Sequence, residues 1–409
     1  MIPAASTLLS LASLWTALQG TLGSGATVRG SLRNDYFTGG RKDLDIDASP
    51  GVFLALREAR LAFSLGYRPN FTWRGLLHPE QRDFLVMHGA YASLAYTGIG
   101  YTLSLSQSVA AGEQAFWTAP LNNVPGAPID PTLPRTTLFQ PAPALLIANE
   151  TTTAALDYVW SARWHSSFSG SYGISGGLDR RARMVMAQIM TGTVATSTNY
   201  LLTKEDHVGW DLSLANIRSR TAFTTNEYWT LAATGHWDHQ FSKDVGAGGA
   251  LGVTAVRTPR ASGGADYTGN LLANGNLRME LVKMQSFTMS GSVGAGANSG
   301  INTYTGVLQQ RVQGQANLTA VVERLSMYVN ADVAQTLPTD APDAYRFYGA
   351  GGGASLGVTT FLSIDAGYRS TWQIANMAAV PVTTGLPTTI PRQWQVYFGI
   401  SVVAPVFVF

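Results

Sequence analysis

Apolar and polar residues alternate with a period of two along most of the chain after residue 26. In the segment 61–68, Leu61, Phe63 and Leu65 alternate with Ala62 and Ser64. The same alternation recurs in residues 101–106, 156–165, 229–238, 308–320, 325–333, 362–369 and 394–402. Because successive side chains of a strand point to opposite faces, this pattern predicts strands with one apolar and one polar face.

The predicted strands are too long and too numerous for an ordinary soluble sheet. Many run for about 10–14 residues, whereas strands of soluble proteins average about 5–6. Aromatic residues stand near the strand ends, among them Trp73, Trp164, Trp229, Trp237 and Trp394, as they do at the interfaces of a membrane barrel. In lipid every backbone polar group needs a partner, so such a sheet has to close on itself. The pattern therefore favours an all-β fold, a closed antiparallel transmembrane β-barrel.

Short and long connections alternate between the predicted strands, which allows the strands to be counted. We place seventeen strands between residues 27 and 404, and an eighteenth in the interval 178–206, ending at Thr203 before a turn at Lys204–Asp206. We also place a short turn at residues 165–167. Bacterial barrels of this kind have an even number of strands. We therefore predict about eighteen strands, with sixteen as the alternative, and assign residues 27–409 to the barrel.

Composition excludes several other classes of protein. The chain has 409 residues, no cysteine, 13% charged residues and a formal net charge of +2. Without cysteine it has no disulfides and no thiolate metal site, and a balanced charge argues against nucleic acid as a partner. No run of 18 apolar residues is present, which excludes a helical membrane bundle. Residues 1–26 are mildly apolar but lack a positive n-region, and we assign them to a leader or signal-like segment.

The sequence ends in Phe407-Val408-Phe409, with an aromatic residue closing an amphipathic strand. With this ending the chain resembles a porin-like bacterial outer-membrane β-barrel, and its layout is similar to the polysaccharide-secretion barrels of myxobacteria. Pro405 departs from the pattern because it interrupts the alternation of the last strand. The resemblance implies residence in the outer membrane of a Gram-negative bacterium, surrounded by outer-membrane lipids. It also implies that Phe407 and Phe409 form an insertion signal read by the barrel-assembly machinery.

The polar faces of the predicted strands should line an aqueous lumen, because a barrel of this size encloses a channel unless something fills it. We expect no plug domain before the first strand. Charges of both signs on this face nearly balance, which argues against strong ion selection. Gln and Asn side chains along residues 309–317 suit sugar hydroxyls, or simply solvate a wet wall. The predicted pore-lining residues are Arg60, Arg68, Asp157, Arg163, His165, His236, Asp238, Asn276, Arg278, Glu280, Gln309, Arg311, Gln313, Gln315, Asn317, Asn330, Asp332, Asp365 and Arg369.

The longest predicted outer connection is the extracellular loop 110–151, which is rich in proline and apolar side chains. A loop of that composition is poorly suited to lie free in water. It resembles the porin loop that folds into the barrel, and on that basis Phe116, Trp117, Arg135 and Phe139 are candidates for a constriction. The alternative is an extracellular cap or a surface loop.

The sequence gives no pattern that indicates catalysis. His236 and Asp238 share a strand face but lack a third metal ligand, and no nucleophile motif is present. The glycine-rich stretches at 246–249 and 349–353 have no phosphate-binding Lys-Ser/Thr pair, and are typical of strand glycines that permit barrel curvature. We therefore expect no enzyme, no catalytic or metal site and no cofactor.

The function that the pattern favours is a channel for the passage of a hydrophilic solute or polymer. We rank polysaccharide export first, with periplasmic export proteins as partners. The alternatives are a general diffusion porin, a structural or adhesive barrel with a filled lumen, and a lumenal hydrolase.

Overall fold

A computed structural model describes residues 19–35, 41–77, 83–114, 119–120, 137–138, 145–259, 263–284, 286–301, 306–337, 345–375 and 389–408. Almost all of these residues belong to one antiparallel sheet. The strands are β1 (Gln19–Asp35), β2 (Arg41–Arg57), β3 (Leu61–Tyr67), β4 (Asn70–Arg74), β5 (Asp83–Thr97), β6 (Tyr101–Gln114), β7 (Ala119–Pro120), β8 (Thr137–Leu138), β9 (Leu145–Val159), β10 (Trp164–Gly177), β11 (Gln188–Leu201), β12 (Asp206–Arg220), β13 (Thr225–Gln240), β14 (Val245–Pro259), β15 (Ala265–Lys283), β16 (Phe287–Ile301), β17 (Leu308–Val322), β18 (Leu325–Leu337), β19 (Tyr345–Gly357), β20 (Leu362–Ala375) and β21 (Thr389–Val408).

The sheet is a closed barrel of eighteen strands, as predicted. Each strand pairs with its neighbours in the chain, and β1 pairs with β21 to close the barrel. The segments β3 and β4 together make one strand, because both lie between β2 and β5. Pro69 separates them, since proline cannot donate to the ladder. The pair β7 and β8 lies outside the barrel sheet.

The eighteenth strand lies in the predicted interval 178–206. It is β11, and it is followed by a short turn in which Leu202 N donates to Asp206 O at 3.0 Å. Strand connections are tight at one end of the barrel, as at residues 58–60, 98–100 and 358–361, and longer at the other. We call the first the inner end and the second the outer end, because membrane barrels have short periplasmic turns and long extracellular loops.

Several predicted boundaries are wrong. The first strand begins at Gln19 and not at residue 27, so residues 19–26 belong to the barrel. These residues are mostly Gly, Ser and Thr, and they show too little amphipathic contrast to be read as a strand. The turn expected at 165–167 lies at 160–163, where Trp160 N donates to Trp164 O at 3.0 Å. Because this turn has an even number of residues, apolar and polar residues keep alternating in step through it, and the alternation does not reveal where the turn lies.

The outward face of the barrel is apolar. Large side chains such as Val194, Leu251 and Val253 are exposed there, at 67%, 64% and 61%. Exposure of this extent over a whole surface indicates lipid contact. Aromatic residues mark both ends of the band, with Trp164 against Tyr200 at the inner end and Tyr348 against Trp372 at the outer end.

The only helix among the described residues is α1 (Arg180–Val185), in the outer connection between β10 and β11. Asp179 caps it by accepting a hydrogen bond from Ala182 N at 2.6 Å. No helix in the described part of the chain has the length and hydropathy needed to cross a membrane.

Candidate functional site

Side-chain contacts between strands that are not neighbours identify the lumenal face. Arg29 on β1 donates from Nη2 to Asp365 Oδ2 on β20 at 2.9 Å, across β21. His236 on β13 reaches Asn199 on β11, with Nε2 2.7 Å from Oδ1. Side chains can converge in this way only on the concave face of a barrel. The strand registers then assign every second residue of each strand to the lumen.

The register places most of the predicted pore-lining residues on this concave face. Arg68 lies between β3 and β4 and donates from Nη2 to Thr27 Oγ1 at 2.7 Å. Arg60 and Arg163 lie in inner-end turns, and therefore at the rim and not on the wall. The predicted residues at lumenal positions within strands are Asp157, His165, His236, Asp238, Asn276, Arg278, Glu280, Gln309, Arg311, Gln313, Gln315, Asn317, Asn330, Asp332, Asp365 and Arg369.

The predicted constriction residues Phe116, Trp117, Arg135 and Phe139 lie outside the described residues, as does Phe409. The predicted bounds of the loop 110–151 are wrong, because residues 110–114 belong to β6 and residues 145–151 belong to β9. Between these two strands the structure describes the pair β7–β8. Phe407 belongs to β21, where its backbone pairs with Leu22 of β1 beside the irregularity in that register.

Lumenal side chains lie along the wall because glycines stand between them. Gly246 separates Gln240 from Arg278, whose Nη2 donates to Gln240 Oε1 at 3.3 Å. A Cβ on this glycine would lie 2.8 Å from Gln240 Oε1 and 3.1 Å from Arg278 Nε. Side chains two strands apart can therefore meet above the glycine instead of projecting into the channel.

The same arrangement recurs around the barrel. Gly209 lies beneath the contact of His236 with Asn199, and Gly399 lies beneath the contact of Arg29 with Asp365. His236 Nδ1 also lies 3.0 Å from Asp211 Oδ2. Among the described residues, no three His, Asp or Glu side chains come together as a metal site would require.

A buried ionic cluster near the outer end was missed by the sequence analysis. Arg33 donates from Nε to Asp45 Oδ2 at 2.7 Å and lies 3.3 Å from Asp43 Oδ2 through Nη2. In the next row, Thr72 donates from Oγ1 to Asp47 Oδ1 at 2.5 Å. The signal in the sequence that would have revealed this cluster is an aspartate at every second position, at Asp43, Asp45 and Asp47.

Four aromatic side chains on the lumenal face were also missed. We name Phe53, Tyr91, Tyr328 and Tyr397 the lumenal aromatic arc. Each ring passes over a glycine of the adjacent strand, so that a Cβ there would collide with the ring; these glycines are Gly23, Gly66, Gly353 and Gly367. In sequence, each aromatic residue stands at a polar position of the alternation, but its partner glycine can be identified only from the register.

The outer end of the lumen differs from the rest of the wall. Inward apolar residues there, such as Ile189, Ile217 and Val256, are buried in one cluster with Tyr228, and Ile301 of β16 packs against them. The outer connections fold over this cluster. Tyr228 Oη donates to Gly306 O at 3.4 Å, and Ala222 N donates to Arg183 O of α1 at 3.1 Å. The described connections thus contact the cluster and one another at the outer end.

A closed eighteen-strand barrel with an apolar exterior and a polar lumenal wall defines an integral outer-membrane β-barrel channel. Within that class, the chain belongs to the EpsX exopolysaccharide export family, whose sequence model matches residues 34–393. The predicted resemblance to outer-membrane barrels and the predicted channel function are confirmed. No curated protein matches the chain.

Several solved structures are similar to the chain. OccK2 (OpdF) of Pseudomonas aeruginosa, in complex with glucuronate, is 10% identical, with 94% of this chain and 98% of that chain covered and a TM-score of 0.49. OpdK of the same organism, with vanillate, is 10% identical, with the same coverage and a TM-score of 0.47. The FrpB iron transporter of Neisseria meningitidis (F5-1 variant) is 10% identical with a TM-score of 0.48, over 86% of this chain. The chain spans 63% of the length of that transporter.

Proposed function

We propose that this protein is the outlet through which an exported polysaccharide crosses the outer membrane of a Gram-negative bacterium. The observation that carries the proposal is a polar lumenal wall whose side chains lie flat over glycines, in a member of the EpsX exopolysaccharide export family. A barrel of about 16–18 strands leaves an aqueous channel. Side chains that lie along the wall leave more of the interior of the barrel to a hydrated polymer.

The wall is suited to a polyhydroxylated chain because it offers donors and acceptors without a strong net field. Arg29 is paired with Asp365, and Arg33 with Asp43 and Asp45. Paired charges bind a passing polymer weakly, as conduction requires. Amide side chains such as those at 313, 315 and 317 can exchange hydrogen bonds with successive sugar hydroxyls.

The partners follow from this role. Periplasmic export proteins would deliver the polymer to the inner end, and the barrel-assembly machinery would insert the chain through its C-terminal strand. The lumenal groups would act in passage and not in catalysis, so the protein would not be an enzyme. Packing of α1 and the loop at 221–224 over the outer mouth would keep the channel narrow until polymer arrives.

The experiment is deletion of the gene, followed by measurement of secreted and surface polysaccharide. We expect loss of the polymer and its recovery on expression of the wild-type chain. Uptake of small sugars by the same cells tests the alternative of a general diffusion porin. Normal polymer with reduced sugar uptake would favour that alternative and contradict export. Planar-bilayer conductance tests the alternative of a filled structural barrel, which would give no channel steps.

A further inference from the structure

The lumenal aromatic arc occupies one side of the channel. Its members lie on β2, β5, β18 and β21, on either side of the β1–β21 closure. Phe53, Tyr91 and Tyr328 are in the inner halves of their strands, and Tyr397 lies beside Gly367 in the inner half of β20. The arc therefore faces a polymer that enters from the inner end.

The opposite side of the channel is polar. Among the described lumenal positions of β6 and β9–β17, the only aromatic residue is Tyr228, which lies in the apolar cluster at the outer end. Ser, Thr, Asn and Gln occupy most of the remaining positions, as in Gln313, Gln315 and Asn317 on β17. The wall thus presents aromatic surface on one side and hydrogen-bonding groups on the other.

One half of the arc is a pair of tyrosines joined over two glycines. Tyr328, Gly353, Gly367 and Tyr397 form one continuous row across four strands. The two hydroxyl groups hydrogen-bond to each other above the glycines. The guanidinium of Arg29 lies 4.6 Å from the centre of the Tyr397 ring. Tyr328 remains 38% exposed to the lumen, so its ring is open to a ligand.

From this arrangement we infer that the lumenal aromatic arc is a carbohydrate-binding subsite that stacks on the pyranose rings of the passing chain. A pyranose has an apolar C–H face and a rim of hydroxyl groups. The negative face of an aromatic ring attracts such C–H groups, and the charged groups beside Tyr397, namely Arg29 and Asp365, can bond the hydroxyl rim. The inference rests on the proposed function, because it names how that function's cargo is held.

A structural role is the competing explanation of the arc. Rings that only fill space over glycines would stabilise the barrel without binding sugar. The two explanations differ in whether loss of a ring changes affinity for an oligosaccharide, and a binding measurement that does not depend on transport separates them.

The test is saturation-transfer NMR titration of detergent-solubilised full-length protein with maltohexaose, a neutral six-residue glucose oligosaccharide. We expect saturable binding of the oligosaccharide to the wild type. Binding to Tyr328→Ala should be about three- to tenfold weaker, because this loss of affinity corresponds to the free energy of one aromatic contact. Tyr328→Phe keeps the ring and should bind within about twofold of the wild type. Tyr172→Ala removes an exposed aromatic side chain from the lipid face and is the control.

A second variant keeps the test valid if Tyr328→Ala fails to fold. Tyr91→Ala should weaken binding in the same sense, since Tyr91 is 45% exposed in the lumen. Heat-modifiable migration on gels checks that each variant is folded. Absence of saturable binding to the wild type, or equal affinity of the wild type and the folded alanine variants, would overturn the inference. Absence of channel conductance in the wild type, or normal polymer export after deletion of the gene, would instead count against the proposed function.

Discussion

Replacing Arg33 with alanine should destabilise the barrel much more than replacing Arg29 in the same way. Both arginines lie on the lumenal face of β1 and both pair with aspartate. They differ in burial: the Arg33 side chain is 7% exposed, with Asp43 at 3% and Asp45 at 7%. The Arg29 side chain is 44% exposed, and Asp365 is 19% exposed. This matched pair isolates the effect of burial on an ion pair.

The expected magnitudes follow from the desolvation of the charges left behind. Arg33→Ala leaves two buried carboxylates without their cation, which costs about 3–5 kcal/mol. Arg29→Ala removes an exposed pair worth about 0.2–1 kcal/mol and a cation–π contact with Tyr397 worth about 0.5–1 kcal/mol. The difference in the free energy of unfolding should therefore be about 1–4 kcal/mol.

Urea unfolding of the refolded protein in detergent, followed by tryptophan fluorescence, measures these free energies. Neutralising the two acids with Asp43→Asn and Asp45→Asn in the Arg33→Ala chain should restore most of the loss, because no unpaired charge then remains buried. Equal destabilisation by Arg33→Ala and Arg29→Ala would refute the reasoning. So would failure of the two asparagines to restore stability.

Two further predictions test the lumenal wall and the outer connections. Gly66→Ala should destabilise the barrel by about 1–3 kcal/mol, because its Cβ would collide with the ring of Tyr91. Tyr91→Ala in the same chain should cancel that loss, and urea unfolding of a double-mutant cycle would detect the coupling. Arg183→Cys with Ala222→Cys should form a disulfide between α1 and the loop at 221–224, since their backbones already hydrogen-bond at 3.1 Å. Oxidation should lower polymer export and reduction should restore it. Equal export under oxidising and reducing conditions would show that passage does not require the outer connections to move apart.

The sequence was sufficient to predict the barrel and the number of its strands because lipid and water impose a strict alternation. Val329 and Asn330 are adjacent in β18, and their chemistry alone assigns them to opposite faces. The tight inner turns then separate the strands. At β1 this signal is weak, because most of residues 19–26 are small and Leu22 is the one large apolar residue among them.

Contacts across the wall could not be predicted from the sequence. That Tyr328 and Tyr397 meet depends on the pairing of four strands, and the two residues are 69 positions apart in the chain. The glycines between them look like ordinary strand glycines until the register is known. The apolar cluster at the outer end could not be predicted for a different reason. Ile189 and Ile217 are apolar residues that face inward, which the alternation alone cannot distinguish from contact with lipid.

The central claim is that alternate residues of each strand face lipid and an aqueous lumen. Because the chain has no cysteine, single cysteines can report this directly. Val329→Cys and Asn330→Cys, reconstituted in lipid bilayers, should be treated with a charged, membrane-impermeant thiosulfonate while conductance is recorded. We predict that Asn330→Cys reacts and its conductance falls, whereas Val329→Cys does not react. Equal reaction of both, or reaction of Val329→Cys alone, would contradict the account.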